Sequence, residues 1–443
     1  METTLAQRTA AELRASQKAQ QNILEMKNED YALELGQNAR QASRQLRQVP
    51  VAKRNAALKE LASLLLSSQN EIMAENAKDM EEGKKRGLSA AMLDRLMLNA
   101  SRIKSIADNI KTIIDFPDPL GKTLSKKVRR DKLRINRISV PIGTILFIYE
   151  SRPNVTIDGA ALCLKSGNAV ILRGGKEAFH SNAIFARLCE EAFRAKGIDP
   201  LAVQLVRKPD HALVDFLLTD MKNIDLVIPR GGEKLIQSVV EKSRIPVIKH
   251  YKGVCHIYVD KTADLKMAEK IIVNAKAQRP GVCNAMETLL LDANIKPVAI
   301  KKMLDSLIEN KVEIRGDKAI CKIHPSAKPA AEADWDEEYL DLILAVRLVA
   351  GVEDAIDHIS RHGTGHTDAV IAKSPKVQNA FIAGVDSASV MVNASTRFAD
   401  GAEFGLGAEV GISTDKLHAR GPMGLESLTT YQWIVQGKGH VRK

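Results

Sequence analysis

Aromatic residues make up only 4% of this 443-residue chain. Stacking on nucleic acid needs aromatics interleaved with Lys and Arg, and neither that pattern nor a recognisable module occurs, so no nucleic-acid partner is expected. Five cysteines, Cys163, Cys189, Cys255, Cys283 and Cys321, are scattered without a CxxC pair. This spacing excludes a disulfide scaffold and a cysteine-based zinc site, and it fits a reduced compartment. Nowhere do eighteen apolar residues follow one another, and the opening METTLAQRTAAELRASQ has no apolar signal segment. A soluble, cytoplasmic protein with no membrane partner is expected. No G-x-G-x-x-G occurs either, which removes the ordinary dinucleotide fingerprint.

Hydrophobic residues reach 45%, enough at this length to fill the cores of two or three domains. The 65 basic and 54 acidic side chains leave a formal charge of +11. That balance suits anionic small molecules drawn to a basic cleft. The densest basic run, 122–137 (KTLSKKVRRDKLRINR), alternates charges with Leu, Val and Ile and reads as a solvated β-hairpin with one apolar face.

Residues 3–115 carry a helical pattern, with Leu58, Leu61, Leu64 and Leu65 at helical spacing, and DFPDPLG at 115–121 breaks it. From 138 onward strands alternate with helices. The strands are expected at 140–149, 169–173, 202–206 and 225–228, with another beginning at Val247 and Ile248, and the pattern repeats from 254 to 392. Parallel neighbours need crossover helices, so the fold class is α/β with doubly wound sheets. Two strand-end loops carry glycines with a cation: Arg173, Gly174, Gly175 and Lys176, then Pro229, Arg230, Gly231 and Gly232. Glycine lets a backbone approach a phosphate and the next helix N-terminus favours an anion, although a glycine pair before a helix is equally a tight turn.

Cys283 lies in QRPGVCNAMETLLLD (278–292). Pro280 and Gly281 mark a turn before it and ETLLL reads as a strand after it, so the thiol stands on a loop entering a strand. A nucleophilic thiolate needs such partial exposure and an electropositive setting, and Lys276 and Arg279 are near in sequence. The alternative is a small buried hydrophobe. His362 and His366 have metal-like spacing, but no further ligands stand beside them, and no metal is expected. The tail from Asn393 is glycine-rich and reads as a loop lining a site before a final strand.

Taken together, ESRPNVT, ILRGGKEA, PRGG, PGVCNA, HGTGHTDAV and STDKLHARGPMGLESLTT resemble the γ-glutamyl phosphate reductase family, a branch of the aldehyde dehydrogenase superfamily. The resemblance runs from about residue 30 to the C-terminus; residues 1–30 form an uncovered helical extension, and no kinase domain precedes the matched region. It implies an aldehyde dehydrogenase-like α/β fold of two doubly wound, Rossmann-like domains with a small β-flap for oligomerisation. Residues 1–121 with 140–252 are then the cofactor-binding domain and 253–392 the catalytic domain. Residues 122–139 and 393–443 become the flap and a site-lining tail.

The resemblance implies NADPH-dependent reduction of L-glutamyl 5-phosphate to L-glutamate 5-semialdehyde through a cysteine thioester, the second step of proline synthesis. Cys283 corresponds to the nucleophile and Asn154 to the oxyanion-hole asparagine. The loop 173–176 corresponds to the adenosine-ribose segment, where two cations favour the 2′-phosphate of NADPH. Residues 229–232 correspond to the turn beside the pyrophosphate, and Glu338 to the glutamate on the nicotinamide ribose, although Leu340 and Asp341 replace the usual Phe and Gly. Arg152 and Asn393 are candidates for the substrate phosphate or carboxylate, or are structural. A homo-oligomer is also implied; the upstream glutamate 5-kinase is a candidate partner, and whether the two form a complex is left open by the sequence. The alternative is a hydrolytic NAD(P)-dependent aldehyde dehydrogenase. It is disfavoured because IKHYKGVCHIYVD has Lys249 and His250 where the water-activating glutamate would be.

Overall fold

A computed structural model of the chain describes residues 21–249, 251–406 and 409–442. Residues 1–20 of the expected extension and His250 lie outside this description. The chain forms two compact units, 1–248 with 424–443, and 249–423. Of the stretch expected to supply flap and site-lining tail, 393–423 fall in the second unit and 424–443 in the first. Residues 411–413 and 421–423 form a small antiparallel pair, and Lys249 bonds Asp415 at 2.9 Å, so this stretch belongs to the second unit.

The first unit opens with helices α1 (Asn28–Leu46), α2 (Val51–Ser67), α3 (Gln69–Lys85), α4 (Ala90–Leu96) and α5 (Ala100–Asp115). In α5 the Asn99 side chain caps the start by accepting from Arg102 N–H. Ile103, Ile106, Ile110 and Ile113 then bury one stripe, and Phe116-Pro117 ends the helix. Strands β1 (Thr123–Val128) and β2 (Arg134–Pro141) are the expected hairpin. All six residues of β1 are exposed, so the single apolar face foreseen for the hairpin buries nothing on that strand.

The core sheet follows: β3 (Thr144–Tyr149), helix α6 (Asn154–Lys165), β4 (Ala169–Arg173), α7 (Phe179–Ala195), β5 (Val203–Leu205), α8 (His211–Thr219), β6 (Leu226–Arg230) and α9 (Glu233–Lys242). The parallel order is β5-β4-β3-β6. The winding reverses between β3 and β6, so the loops leaving these two strands flank the switch point where open sheets take ligands. Val247 makes only an isolated bridge to Val227 instead of the expected full strand.

The second unit runs β7 (Cys255–Val259), α10 (Leu265–Ala277), β8 (Met286–Asp292), α11 (Pro297–Glu309), β9 (Glu313–Gly316), α12 (Lys318–Ile323), β10 (Lys328–Pro329), β11 (Ile343–Val349), α13 (Val352–His362), β12 (Thr367–Ile371), α14 (Pro375–Gly384) and β13 (Ser389–Val392). Its seven parallel strands lie in the order β10-β9-β11-β8-β7-β12-β13. Leu289 and Leu291 enter the core on one face with Ile257 and Val346, and Leu290 enters the other with Tyr258 and Val370. Burial on both faces explains the unbroken apolar run. After β14 (Gly411–Ser413) and β15 (Gly421–Met423), the chain returns to the first unit as β16 (Thr429–Gln436), which pairs antiparallel with β2.

Gly143, at the entry to β3, has φ +138, and a Cβ there would lie 2.2 Å from Asp225 Oδ2. That carboxylate is already held by both Arg40 guanidinium nitrogens at 2.8 Å and by Thr144 N–H. Gly143→Ala is expected to destabilise the protein by about 2–3 kcal/mol, read as a lower urea midpoint with unchanged slope.

Candidate functional site

In the first unit the expected site residues collect at the carboxyl ends of β3, β4 and β6. Asn154 is the first residue of α6, and its Nδ2 donates to Asp158 Oδ2, one turn on, at 2.9 Å. This bond orients the amide and leaves its second hydrogen for another acceptor. The Asp158 carboxyl is pushed up to about 6 by burial, against the pull of Asn154 and Arg230. Ser151 sits at φ +34, and its N–H and Oγ–H both donate to Glu177 Oε1, at 2.5 and 2.8 Å. Arg152 is exposed at the tip of the same turn.

The Arg173 guanidinium is partly buried, which lowers its pKa, and Nη1 donates to Gly174 O at 3.0 Å. Gly174 has no room for a side chain, because a Cβ would lie 2.1 Å from Asn182 Nδ2. Lys176 is exposed. Across β3, Pro229 and Arg230 end β6, and Gly232 N–H donates to Glu150 Oε2 at 2.8 Å. A Cβ on Gly231 would collide with the same carboxylate, whereas one on Gly232 would meet nothing closer than 3.9 Å. The cations Arg173, Lys176 and Arg230 and the room at Gly232 before a helix fit a phosphorylated nucleotide, with Glu150 occupying the Gly232 N–H.

In the second unit the amino ends of four neighbouring strands converge. Cys283 lies in the turn before β8, half-buried. A Cβ on Gly253, before β7, would stand 2.0 Å from the Cys283 carbonyl oxygen, so the two backbones touch. Gly253 N–H donates to Glu338 Oε1 at 2.9 Å, which brings the segment before β11 to the same place. Cys255 Sγ donates to the Cys283 carbonyl at 3.2 Å. Burial, and next the charge of Asp368, hold the Cys255 thiol well above its usual range. Burial likewise raises Cys163 and Cys189. Cys321 is occupied by the carbonyls of Gly316 and Ala327. Cys283 and Cys321 are thus the half-buried thiols, and Cys283 is the one that lies on a turn before a strand.

One expectation changes and another narrows. Lys276 does not serve as a free cation for Cys283: its Nζ meets Glu287 Oε2 at 2.5 Å, with both side chains fully buried. Burial pushes the lysine pKa down and the carboxyl pKa up, and each partner opposes the shift of the other. For Asn393 the structural alternative is the one its bonding supports. The residue follows the carboxyl end of β13, the opposite end of the sheet from Cys283, at φ +53. Its Oδ1 accepts from Ala372 N–H and its Nδ2 donates to Ala372 O, so the amide is spent on backbone. His362 bonds Asp336 and His366 bonds Thr367, so the two histidines serve different partners.

Sequence reasoning missed Asp158, the Lys276–Glu287 pair and the Gly253 contact. A glutamate inside the apolar ETLLL run was the one available signal, since a charge there demands a buried partner. Lys276→Met leaves the Glu287 charge uncompensated and is expected to cost about 3–5 kcal/mol in chemical denaturation, most of it recovered by Lys276→Met with Glu287→Leu.

A family model described as the aldehyde dehydrogenase family matches residues 7–333. The γ-glutamyl phosphate reductase of Geobacter metallireducens is 51% identical over 406 residues, covering 92% of this chain and 97% of its own. That of Moorella thermoacetica is 50% identical over 408 residues, covering 92% and 98%. The crystal structure of the γ-glutamyl phosphate reductase from Thermotoga maritima superposes with a TM-score of 0.92 at 42% identity, covering 93% of this chain and all of that one. The chain belongs to the aldehyde dehydrogenase family, in its γ-glutamyl phosphate reductase branch.

Proposed function

We propose that this protein reduces L-glutamyl 5-phosphate to L-glutamate 5-semialdehyde and inorganic phosphate, the second step of proline synthesis, with NADPH as reductant and Cys283 as nucleophile. The observation that carries this reading is the half-buried Cys283 on a loop clamped by Gly253 and Cys255, in a chain half identical to named γ-glutamyl phosphate reductases. The Cys283 thiolate attacks the acyl carbon, an S–C bond forms, and the C–O bond to phosphate breaks with its electron pair leaving on phosphate. The carbonyl oxygen carries negative charge during that step. The Cys283 N–H and the second amide hydrogen of Asn154 have the donor chemistry to receive it, the roles carried over from the family. NADPH, when bound, supplies a hydride to the thioester carbon. The oxyanion so formed collapses: its electron pair re-forms the C=O bond as the S–C bond breaks with its pair on sulfur, which releases the aldehyde and restores the thiolate.

Arg173 and Lys176 are assigned to the adenosine 2′-phosphate, residues 229–232 to the pyrophosphate and Glu338 to the nicotinamide ribose. Arg152 is kept as a candidate for the substrate phosphate or carboxylate. No hydrolytic base is needed. Lys249, in the stretch where one would lie, is committed to Asp415. A homo-oligomer joined through the exposed β1-β2-β16 sheet, and a cytoplasmic location, complete the reading.

In reverse turnover, glutamate 5-semialdehyde with NADP⁺ is expected to form NADPH only when inorganic phosphate is present. Cys283→Ala should lower that rate about 10⁴-fold or more. Equal turnover without phosphate would mean that water accepts the acyl group. Lys176→Glu is expected to raise KM for NADPH about 10–100-fold with KM for NADH changed little, measured by steady-state kinetics. A uniform rise for both coenzymes would refute the 2′-phosphate contact.

A further inference from the structure

Arg397 stands on the short turn Thr396–Phe398 of the second unit, and its segment is pinned to the loop of the nucleophile. Asn284, the residue after Cys283, donates from Nδ2 to the Ala399 carbonyl at 3.0 Å and reaches the Arg397 carbonyl at 3.5 Å. Arg397 Nε donates to Gln278 Oε1 at 2.9 Å, and Arg279 follows directly in the chain. Arg397 is half-buried and Arg279 exposed. Among the described residues neither guanidinium has a carboxylate in an ion pair. Burial lowers the Arg397 pKa and repulsion from Arg279 lowers it further, while Asp400, Cys283 and Cys255 act the other way. A partly desolvated cation beside a second cation is unfavourable until an anion joins them. Lys276 is neutralised by Glu287, whereas Arg397 and Arg279, on the segments that flank the Cys283 loop, are paired with no carboxylate among the described residues.

We propose that Arg397 and Arg279 bind the phosphoryl group of the acyl phosphate at Cys283 and the inorganic phosphate released from it. The inference rests on the acyl-phosphate reading above. As the S–C bond forms and the C–O bond breaks, negative charge grows on the leaving phosphate, and the two guanidiniums stabilise it there. The substrate carries a second anion, its α-carboxylate, remote from the reacting carbon. Reverse turnover separates the two because phosphate and semialdehyde are then distinct substrates.

The experiment measures both KM values for wild type, Arg397→Gln, Arg397→Lys and Arg279→Gln, with folding checked by circular dichroism. Arg397→Gln is expected to raise KM for phosphate about 10–100-fold and Arg279→Gln about 3–10-fold, with KM for semialdehyde changed less than about threefold. Arg397→Lys should fall between wild type and Arg397→Gln, because a point charge replaces a fork. Inorganic phosphate should also slow alkylation of Cys283 by iodoacetamide in wild type and not in Arg397→Gln. If Arg397→Gln does not fold, Arg397→Lys and Arg279→Gln decide the matter by the same readings. An unchanged phosphate KM in a phosphate-dependent enzyme would overturn this inference alone, and a raised semialdehyde KM would transfer the arginines to the carboxylate. Wild-type turnover that ignores phosphate would overturn the acyl-phosphate reading and this inference with it.

Discussion

Backbone meets backbone where Gly253 approaches the Cys283 carbonyl, and no side chain of any size fits between them. Parallel strands begin side by side, so the segments entering β11, β8, β7 and β12 arrive at one end of the sheet. Each then fastens to the next: Glu338 takes the Gly253 N–H, Thr364 takes the Val254 N–H, and Cys255 donates to the Cys283 carbonyl. The loop is held by short contacts to rigid strand ends. That is the mechanical condition for the role proposed for Cys283, since the approach of a nucleophile must be accurate to a fraction of an ångström.

Acids in both units serve mainly as internal fasteners. Glu150 ties the β3 exit to the β6 exit through Gly232, Glu177 ties Ser151 to the β4 exit, and Glu287 neutralises Lys276. The charge left over is positive and lies in the loops, at Lys176, Arg279 and Arg397. A surplus of +11 over the whole chain is a blunt fact, and it is the local spending of carboxylates within each unit that decides which cations are left over.

Much of this was legible in the sequence. VPIGTILFIY and ETLLL are apolar on both faces because their sheets are covered on both faces, and the turn signal before Cys283 set it on a loop. The illegible parts depend on contacts distant in sequence. The Lys276–Glu287 pair joins the end of a helix to the start of a strand, so neighbourhood in sequence suggested the wrong partner for the lysine. Asn393 looked like a ligand because it heads a glycine-rich tail, but its positive φ and its grip on Ala372 show a residue shaping a turn. The two-residue strand β10 and the four-residue β9 carry too few apolar positions to announce themselves. Arg397 sat in a stretch without periodicity.

The first unit is interrupted in sequence by the whole of the second, and its flap closes only when β16 pairs with β2. Between Pro141 and Thr429 the ribosome must add roughly 290 residues, about 15–60 s of synthesis at typical rates. During that interval β2 presents an open edge carrying Arg134 and Arg137, beside Lys126 and Lys127 of its hairpin partner. Charges of one sign on a waiting edge discourage it from pairing with another nascent chain.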